Sequence, residues 1–93
     1  MRFADIMMGE FIPHHDWAGI HDNTVQIVGV SNLEEACFAA QKLYTNGVDC
    51  IELCGAFWEN GAKTIIKATG IKIPVGYVIH LPEQDSLFLS LFI

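Results

Sequence analysis

Three side chains that could do chemistry stand at alternate positions near the middle of the chain. Cys50, Glu52 and Cys54 lie in the stretch DCIELCG, whose other residues are typical of a buried β-strand. Because side chains alternate along a strand, these three should share one face of a sheet. A carboxylate that is covered there without a partner costs several kcal/mol or has to stay protonated. Glu52 therefore indicates either a ligand site or a structural ion pair, and the sequence leaves both open.

A thiol and an imidazole form a second candidate pair. Cys54 is followed by Gly55 and then by the predicted start of a helix near Asn60, whose dipole could acidify a thiol. His80 ends the next predicted strand and could supply the base that a cysteine nucleophile needs. The alternative is that Cys54 is a small buried hydrophobic residue, which is a common role for cysteine.

Two aromatic residues follow the Cys-Gly break directly. Phe57 and Trp58 could wall a pocket or stack on a flat ligand, or they could form a satellite core or an interface anchor. Ligands of open α/β sheets bind at the carboxyl ends of the strands. The candidate pocket at that edge is lined by Glu52, Cys54, Trp58 and His80.

Residues 14–22, HHDWAGIHD, combine three histidines with two aspartates. Imidazole and carboxylate groups suit zinc or another divalent ion, and His14, His15 and His21 are the candidate ligands. Their spacing matches no helical pair such as HExxH, and loop histidines are often solvated or cap the local backbone. We therefore expect no resident metal. The chain also lacks GxGxxG and GxxxxGK, so no nucleotide cofactor is expected.

The elements that must position these groups follow from the hydrophobic periodicity. The stretch SNLEEACFAAQKLYTNG predicts a helix that begins with a Ser31–Glu34 capping box and stops at Asn46-Gly47. Predicted strands at 24–30 and 49–55 flank this helix. A strand, a helix and a second strand make a βαβ unit, whose two strands should be parallel.

Further elements extend this unit in both directions. A shorter helix is predicted from Asn60-Gly61 to Gly70, with strands at 72–80 and 2–8 and a long loop at 9–23. We predict a single α/β domain over residues 1–93. It has a three- to four-stranded, mostly parallel sheet, a βαβαβ core and two helices chiefly on one face.

Composition and charge bound the function. The chain of 93 residues carries eleven acids and five bases, a net charge of −6, so binding to nucleic acid or to an anionic membrane is not expected. Three cysteines without a CxxC motif indicate reduced thiols and a cytoplasmic location. No charged leader followed by an apolar segment opens the chain, so no signal peptide is expected.

The last thirteen residues, LPEQDSLFLSLFI, end in six large apolar groups among seven residues. The apolar residues follow neither strand nor helix periodicity, and leaving them exposed would create a sticky patch. Because 52% of the residues are hydrophobic, which is high for a small monomer, we expect self-association. The tail should pack across a symmetric interface, in a homodimer or a dimer of dimers. The residues expected there are Leu87, Phe88, Leu89, Leu91, Phe92 and Ile93.

The stretch ELCGAFWENGAKTIIKATGIKIPVGYV resembles a family of small uncharacterised prokaryotic α/β proteins. Those proteins carry an ELCGGF-like strand end, a glycine-led helix and a PVG strand. The resemblance covers roughly residues 24 to 79, and Ala56 stands where the family usually has a second glycine. It implies an α/β fold and assigns no activity.

The functional hypothesis that follows is a homo-oligomeric module that binds a small ligand at the strand carboxyl ends. One alternative is a small acid/base enzyme, isomerase- or lyase-like, that uses Glu52 or His80. Another is a protein-interaction domain whose aromatic loop and tail bind a different chain.

Overall fold

The computed structural model describes residues 1–91, which form one mixed β-sheet and three α-helices. In chain order the elements are β1 (Phe3–Met8), β2 (Trp17–Ile20), β3 (Val25–Val30), α1 (Leu33–Thr45), β4 (Cys50–Leu53), α2 (Trp58–Ala68), β5 (Val75–Tyr77) and α3 (Asp85–Leu91). Two 3₁₀ turns, Gly55–Phe57 and Pro82–Gln84, precede α2 and α3.

The strand order in the sheet is β2-β3-β1-β4-β5. β1 pairs in parallel with both β3 and β4, and β5 pairs in parallel with β4. The predicted parallel arrangement of the strands on either side of α1 is therefore confirmed, with β1 inserted between them. The mostly parallel α/β fold is confirmed as well.

The predicted strand count is wrong because part of the predicted 9–23 loop is a strand. β2 is antiparallel to β3 and joins it through a tight turn in which His21, Asp22 and Asn23 all have positive φ. Three of the four β2 residues are exposed, so this edge strand lacks the alternation of buried and exposed residues by which strands are recognised.

Both of the longer helices lie on one face of the sheet, which we call the covered face. Its core residues from the strands are Ala4, Ile6, Val28, Val30, Ile51 and Leu53, each at most 1% exposed. Small alanines on one side of α1, together with Leu43 and with Ile65 of α2, complete the same cluster. Burial of these side chains is the main term that stabilises the fold.

Helix α1 begins one residue later than the predicted capping box. Asn32 is the N-cap, and its side-chain oxygen accepts a hydrogen bond from the Glu35 amide at 2.8 Å. The Glu35 carboxylate in turn accepts bonds from the amide and the hydroxyl of Ser31, both at 2.8 Å. The predicted Ser31–Glu34 pair is thus replaced by an equivalent pair displaced by one position, because asparagine caps a helix as well as serine does.

The tail contains a helix, α3, that the sequence pattern does not predict. All seven α3 residues are exposed, so no buried stripe sets a helical period. Phe92 and Ile93, which belong to the predicted interface, lie outside the described residues. No helix within residues 1–91 is long and apolar enough to cross a membrane.

Candidate functional site

The sheet face opposite the helices is exposed, and we call it the open face. Its central side chains are Phe3, Asp5 and Met7 of β1, Ile27 of β3 and Glu52 of β4, which register aligns in neighbouring rows. Phe3 is 38% exposed, Met7 37% and Ile27 46%. The expectation that Glu52 is covered is wrong for a single chain, because both long helices pack on the other face.

Glu52 has a carboxylate on one side and empty space on the other. Asp5 is its register partner on β1, and Gly76 is its register partner on β5. A Cβ added at Gly76 would meet no atom within 4 Å. Within residues 1–91 neither carboxylate has a side-chain hydrogen bond or an ion pair. Glu52 therefore has no partner there for the structural ion pair that was one alternative.

The second glycine of the open face has its space filled. Gly29 lies opposite Met7 rather than beside Glu52, and a Cβ added there would be 2.5 Å from Cγ of Phe11. The chain after β1 therefore folds back over the carboxyl end of β3. Open space on this face is left beside Glu52, over Gly76.

The thiol of Cys50 lies on the open face next to these acids. Burial raises its pKa, and the negative charges of Glu52, Asp49 and Asp5 raise it further. The thiolate is therefore disfavoured at neutral pH, so Cys50 is a poor nucleophile.

Cys54 is held at the junction of two strands. Its sulfur accepts a hydrogen bond from the Met8 amide at 3.2 Å, and its own amide donates to the Ile6 carbonyl at 3.1 Å. These bonds tie the end of β4 to β1. The half-buried side chain thus has a structural role in this fold.

The two aromatic residues after β4 separate. Phe57 is 4% exposed and belongs to the core, whereas Trp58 is 69% exposed. Trp58 has a φ of 55°, a conformation that is uncommon for a residue with a side chain, and it makes the turn from the 3₁₀ segment into α2. It stands at the carboxyl end of β4, the edge where the sequence predicted the pocket.

His80 is engaged by the tail. Its Nε2 is 2.6 Å from Oδ1 of Asp85, and its ring stacks on Phe88 with 4.1 Å between ring centroids. No hydrogen bond within residues 1–91 links His80 to Cys54. The proposed thiol–imidazole pair is therefore not formed in this structure.

The four predicted pocket residues lie near one edge of the sheet, and none of them lines either of two grooves found in residues 1–91. A groove of about 530 Å³ lies between α2 and β5 and is lined mainly by Ala62, Ile66, Tyr77 and Ile79. A second groove of about 630 Å³ lies between α1 and β2. There the Lys42 ammonium sits 5.6 Å from the centroid of the Trp17 ring.

Asp5 is the residue that the sequence reasoning missed. It interrupts the otherwise apolar run of β1, and this interruption was the available signal. Its alignment with Glu52 depends on β1 pairing with β4, which is a contact between segments more than forty residues apart in the chain.

The three histidines of residues 14–22 do not come together at one site. The rings of His14 and His15 meet edge to face with centroids 5.9 Å apart, while His21 lies in the turn between β2 and β3. In residues 1–91 no group of three or more histidine, cysteine or acidic side chains is placed to hold a metal ion.

Comparison with known proteins gives one match. The model of a family of unknown function, DUF6506, matches residues 1–93, in agreement with the resemblance to an uncharacterised family. No curated protein and no solved structure matches the chain. The chain thus belongs to the DUF6506 family of unknown function.

Proposed function

We propose that the protein is a homo-oligomeric module that binds a small molecule carrying a positive charge. Glu52 stands at the centre of the binding surface, and Cys54, Trp58 and His80 mark its rim at the carboxyl ends of β4 and β5. The single observation that carries the proposal is the aligned pair of carboxylates, Asp5 and Glu52, on a face that is otherwise apolar.

Electrostatics favour a cation at this position. Neighbouring strands are about 4.8 Å apart, and like charges directly opposite each other destabilise a sheet. A cationic group between or above the two carboxylates relieves that repulsion and gains from both charges. The net charge of −6 attracts the same class of ligand over a longer range.

Steric space favours the same surface. The site beside Glu52 is open because Gly76 has no side chain there and no neighbour reaches into its place. An amine, diamine or guanidine with a short hydrocarbon body has the chemistry that this surface would accept.

The test is a thermal-shift screen of small amines, diamines and guanidines, with small carboxylates as the negative set. A ligand present at about 100 times its Kd stabilises the folded protein by about 2.7 kcal/mol. We expect Glu52→Gln and Asp5→Asn to lose most of this stabilisation, while Glu34→Gln, an exposed acid on α1, keeps it. Equal shifts for Glu52→Gln and the unaltered protein, or no shift with any cation, would contradict the proposal.

A second candidate function is a protein-interaction domain. It is favoured by residues 78–91, which we call the C-terminal arm and which expose large apolar side chains from Val78 to Leu91. Removing residues 83–93 separates the two candidates. Cation binding that depends on Glu52 should survive the deletion, whereas association through the arm should be lost.

A further inference from the structure

The start of the C-terminal arm lies against the sheet, whereas its helix α3 is not packed extensively on any strand or other α-helix of the described residues. The Val78 amide donates to the Leu53 carbonyl at 2.9 Å, which anchors the start of the arm beside β4. The His80–Asp85 pair and the stacking of His80 on Phe88 then fix α3 relative to that anchor. Within residues 1–91, α3 has extensive contact with the preceding 3₁₀ turn alone.

The arm is apolar well beyond what a solvated terminus requires. Ile79 and Leu91 are each 75% exposed, Leu89 is 63% exposed and Leu87 is 61% exposed. Side chains of this kind stabilise an association when they are removed from water. A helix that is held in place and has such an apolar surface is suited to contact with a partner surface.

The open face has the properties of the other half. Parallel sheets are normally covered on both faces, yet here one face holds Phe3, Met7 and Ile27 without a covering layer. Ile20 of β2 extends the same surface and is 68% exposed. The open face and the arm are therefore two unpartnered apolar surfaces on one chain.

The exposed surface area of the chain is larger than that expected for a folded monomer of its mass. A folded monomer of 10.3 kDa is expected to expose about 5,400 Å². This chain exposes 6456 Å². The excess of about 1,100 Å² is comparable with the roughly 800 Å² that each partner buries in a stable protein interface.

The dimensions of the chain point the same way. Its radius of gyration is 13.4 Å and its longest axis is 38 Å against 27 and 25 Å for the other two. A domain of this length is expected to have a radius of gyration of about 12 Å. The chain is thus more extended than a self-contained fold of its size.

We infer that the occupant of the open face is the C-terminal arm of a second copy of this chain, exchanged reciprocally about a two-fold axis. Each copy supplies one arm and one open face, so in a closed dimer both arms and both open faces are covered. The inference goes beyond the proposed ligand site, since arm exchange does not need a ligand.

Single substitutions on each surface give the first test, with mass in solution measured by light scattering. The unaltered protein should be a dimer at micromolar concentration. Ile27→Glu on the open face and Leu89→Glu on the arm should each raise the dimer Kd by roughly 10-fold or more, because a charge would be buried without a partner. Phe38→Glu is the matched control, since Phe38 is 68% exposed on α1 and away from both surfaces.

Mixing the two variants tests the exchange itself. An Ile27→Glu chain keeps a normal arm, and a Leu89→Glu chain keeps a normal open face. Their mixture should therefore form one intact arm-on-face contact and associate more tightly than either variant alone. Circular dichroism checks that each variant is folded, and Ile20→Glu replaces Ile27→Glu if the latter unfolds.

Three results would overturn the inference. One is a full chain that stays monomeric at micromolar concentration. Another is a Phe38→Glu variant that dissociates as readily as Ile27→Glu. The last is a mixture that associates no better than its components. A chain that is monomeric but loses cation binding on Glu52→Gln would support the ligand site alone, and a dimer that binds no cation would support arm exchange alone, so the two proposals fail separately.

Discussion

The covered face and the open face of the sheet are built from the same strands and differ in how far their side chains are buried. Ile6, on the covered face, is fully buried, and Met7, the next residue, is 37% exposed on the open face. The covered face is wholly committed to the core of its own chain. The open face keeps apolar side chains and two carboxylates at the surface, and it is the face on which we propose that a ligand and a second copy bind.

The difference also separates the two sources of stability. Burial under the helices acts within one chain and is present at every concentration. Burial of the open face needs a second molecule, and its contribution rises with the concentration of that molecule. Because a chain of 93 residues has a limited core, we expect the second contribution to be important.

The largest expected effect comes from truncating neighbouring residues of β1. Ile6→Ala leaves a cavity in the core and should lower the free energy of unfolding by about 2–5 kcal/mol. Met7→Ala should cost less than about 1 kcal/mol in dilute solution, where no partner covers it. Urea denaturation at low protein concentration measures both, and similar losses for the two variants would abolish the distinction between the faces.

The two glycines of the open face provide a smaller contrast. Gly29→Ala forces the Phe11 ring to move, because the added Cβ would lie 2.5 Å from Cγ, and should cost about 1–3 kcal/mol. Gly76→Ala meets no neighbour within 4 Å and should stabilise the strand by about 0.5–1 kcal/mol. Thermal unfolding of the two variants provides the measurement. A destabilising Gly76→Ala would mean that the space beside Glu52 is filled.

The smallest expected effect is in thiol chemistry. Burial raises the pKa of Cys37 on α1, whereas burial and then the charges of Glu52, Asp49 and Asp5 raise that of Cys50. Since only the thiolate reacts, both residues should be alkylated more slowly than a free cysteine at neutral pH.

Removing one charge distinguishes the two thiols. Glu52→Gln should lower the pKa of Cys50, so its alkylation rate should rise at a lower pH, while the profile of Cys37 stays unchanged. Mass spectrometry of iodoacetamide-treated protein between about pH 7 and pH 10 covers the ordinary range of thiol ionisation. Parallel shifts in both profiles would indicate a global change in the fold instead.

The sequence predicts those parts of the fold that local patterns encode. Helix α1 has an apolar stripe, a cap and a glycine stop, and the apolar strands on either side of it require a parallel crossover. The sequence pattern does not predict strand β2, because β2 is a short and mostly exposed edge strand. Only its antiparallel pairing with β3 identifies this segment as a strand. The sequence pattern does not predict helix α3 either. None of its residues is buried, so its apolar residues do not repeat at the helical spacing that a packed helix shows.

The candidate site shows the same limit. Alternation along β4 placed Cys50 and Glu52 on one side of the sheet, as the register shows, whereas Cys54 follows the last paired residue and packs against the core. That this side is the open face depends on α1 and α2 packing together on the other. Local sequence does not encode the partnership of Asp5 with Glu52 either, because it depends on insertion of β1 between β3 and β4.

We expect a second copy to cover the open face in the assembled protein, and the oxidation of methionine reports on that coverage. Met7 lies on the open face, and Met1, which is 78% exposed, serves as the internal control. Peroxide oxidation of each residue is followed by mass spectrometry as protein concentration rises. We expect Met7 to become progressively protected while Met1 reacts at a constant rate. Oxidation of Met7 at one unprotected rate, at every concentration including those at which the dimer is expected, would show that no second copy covers this face.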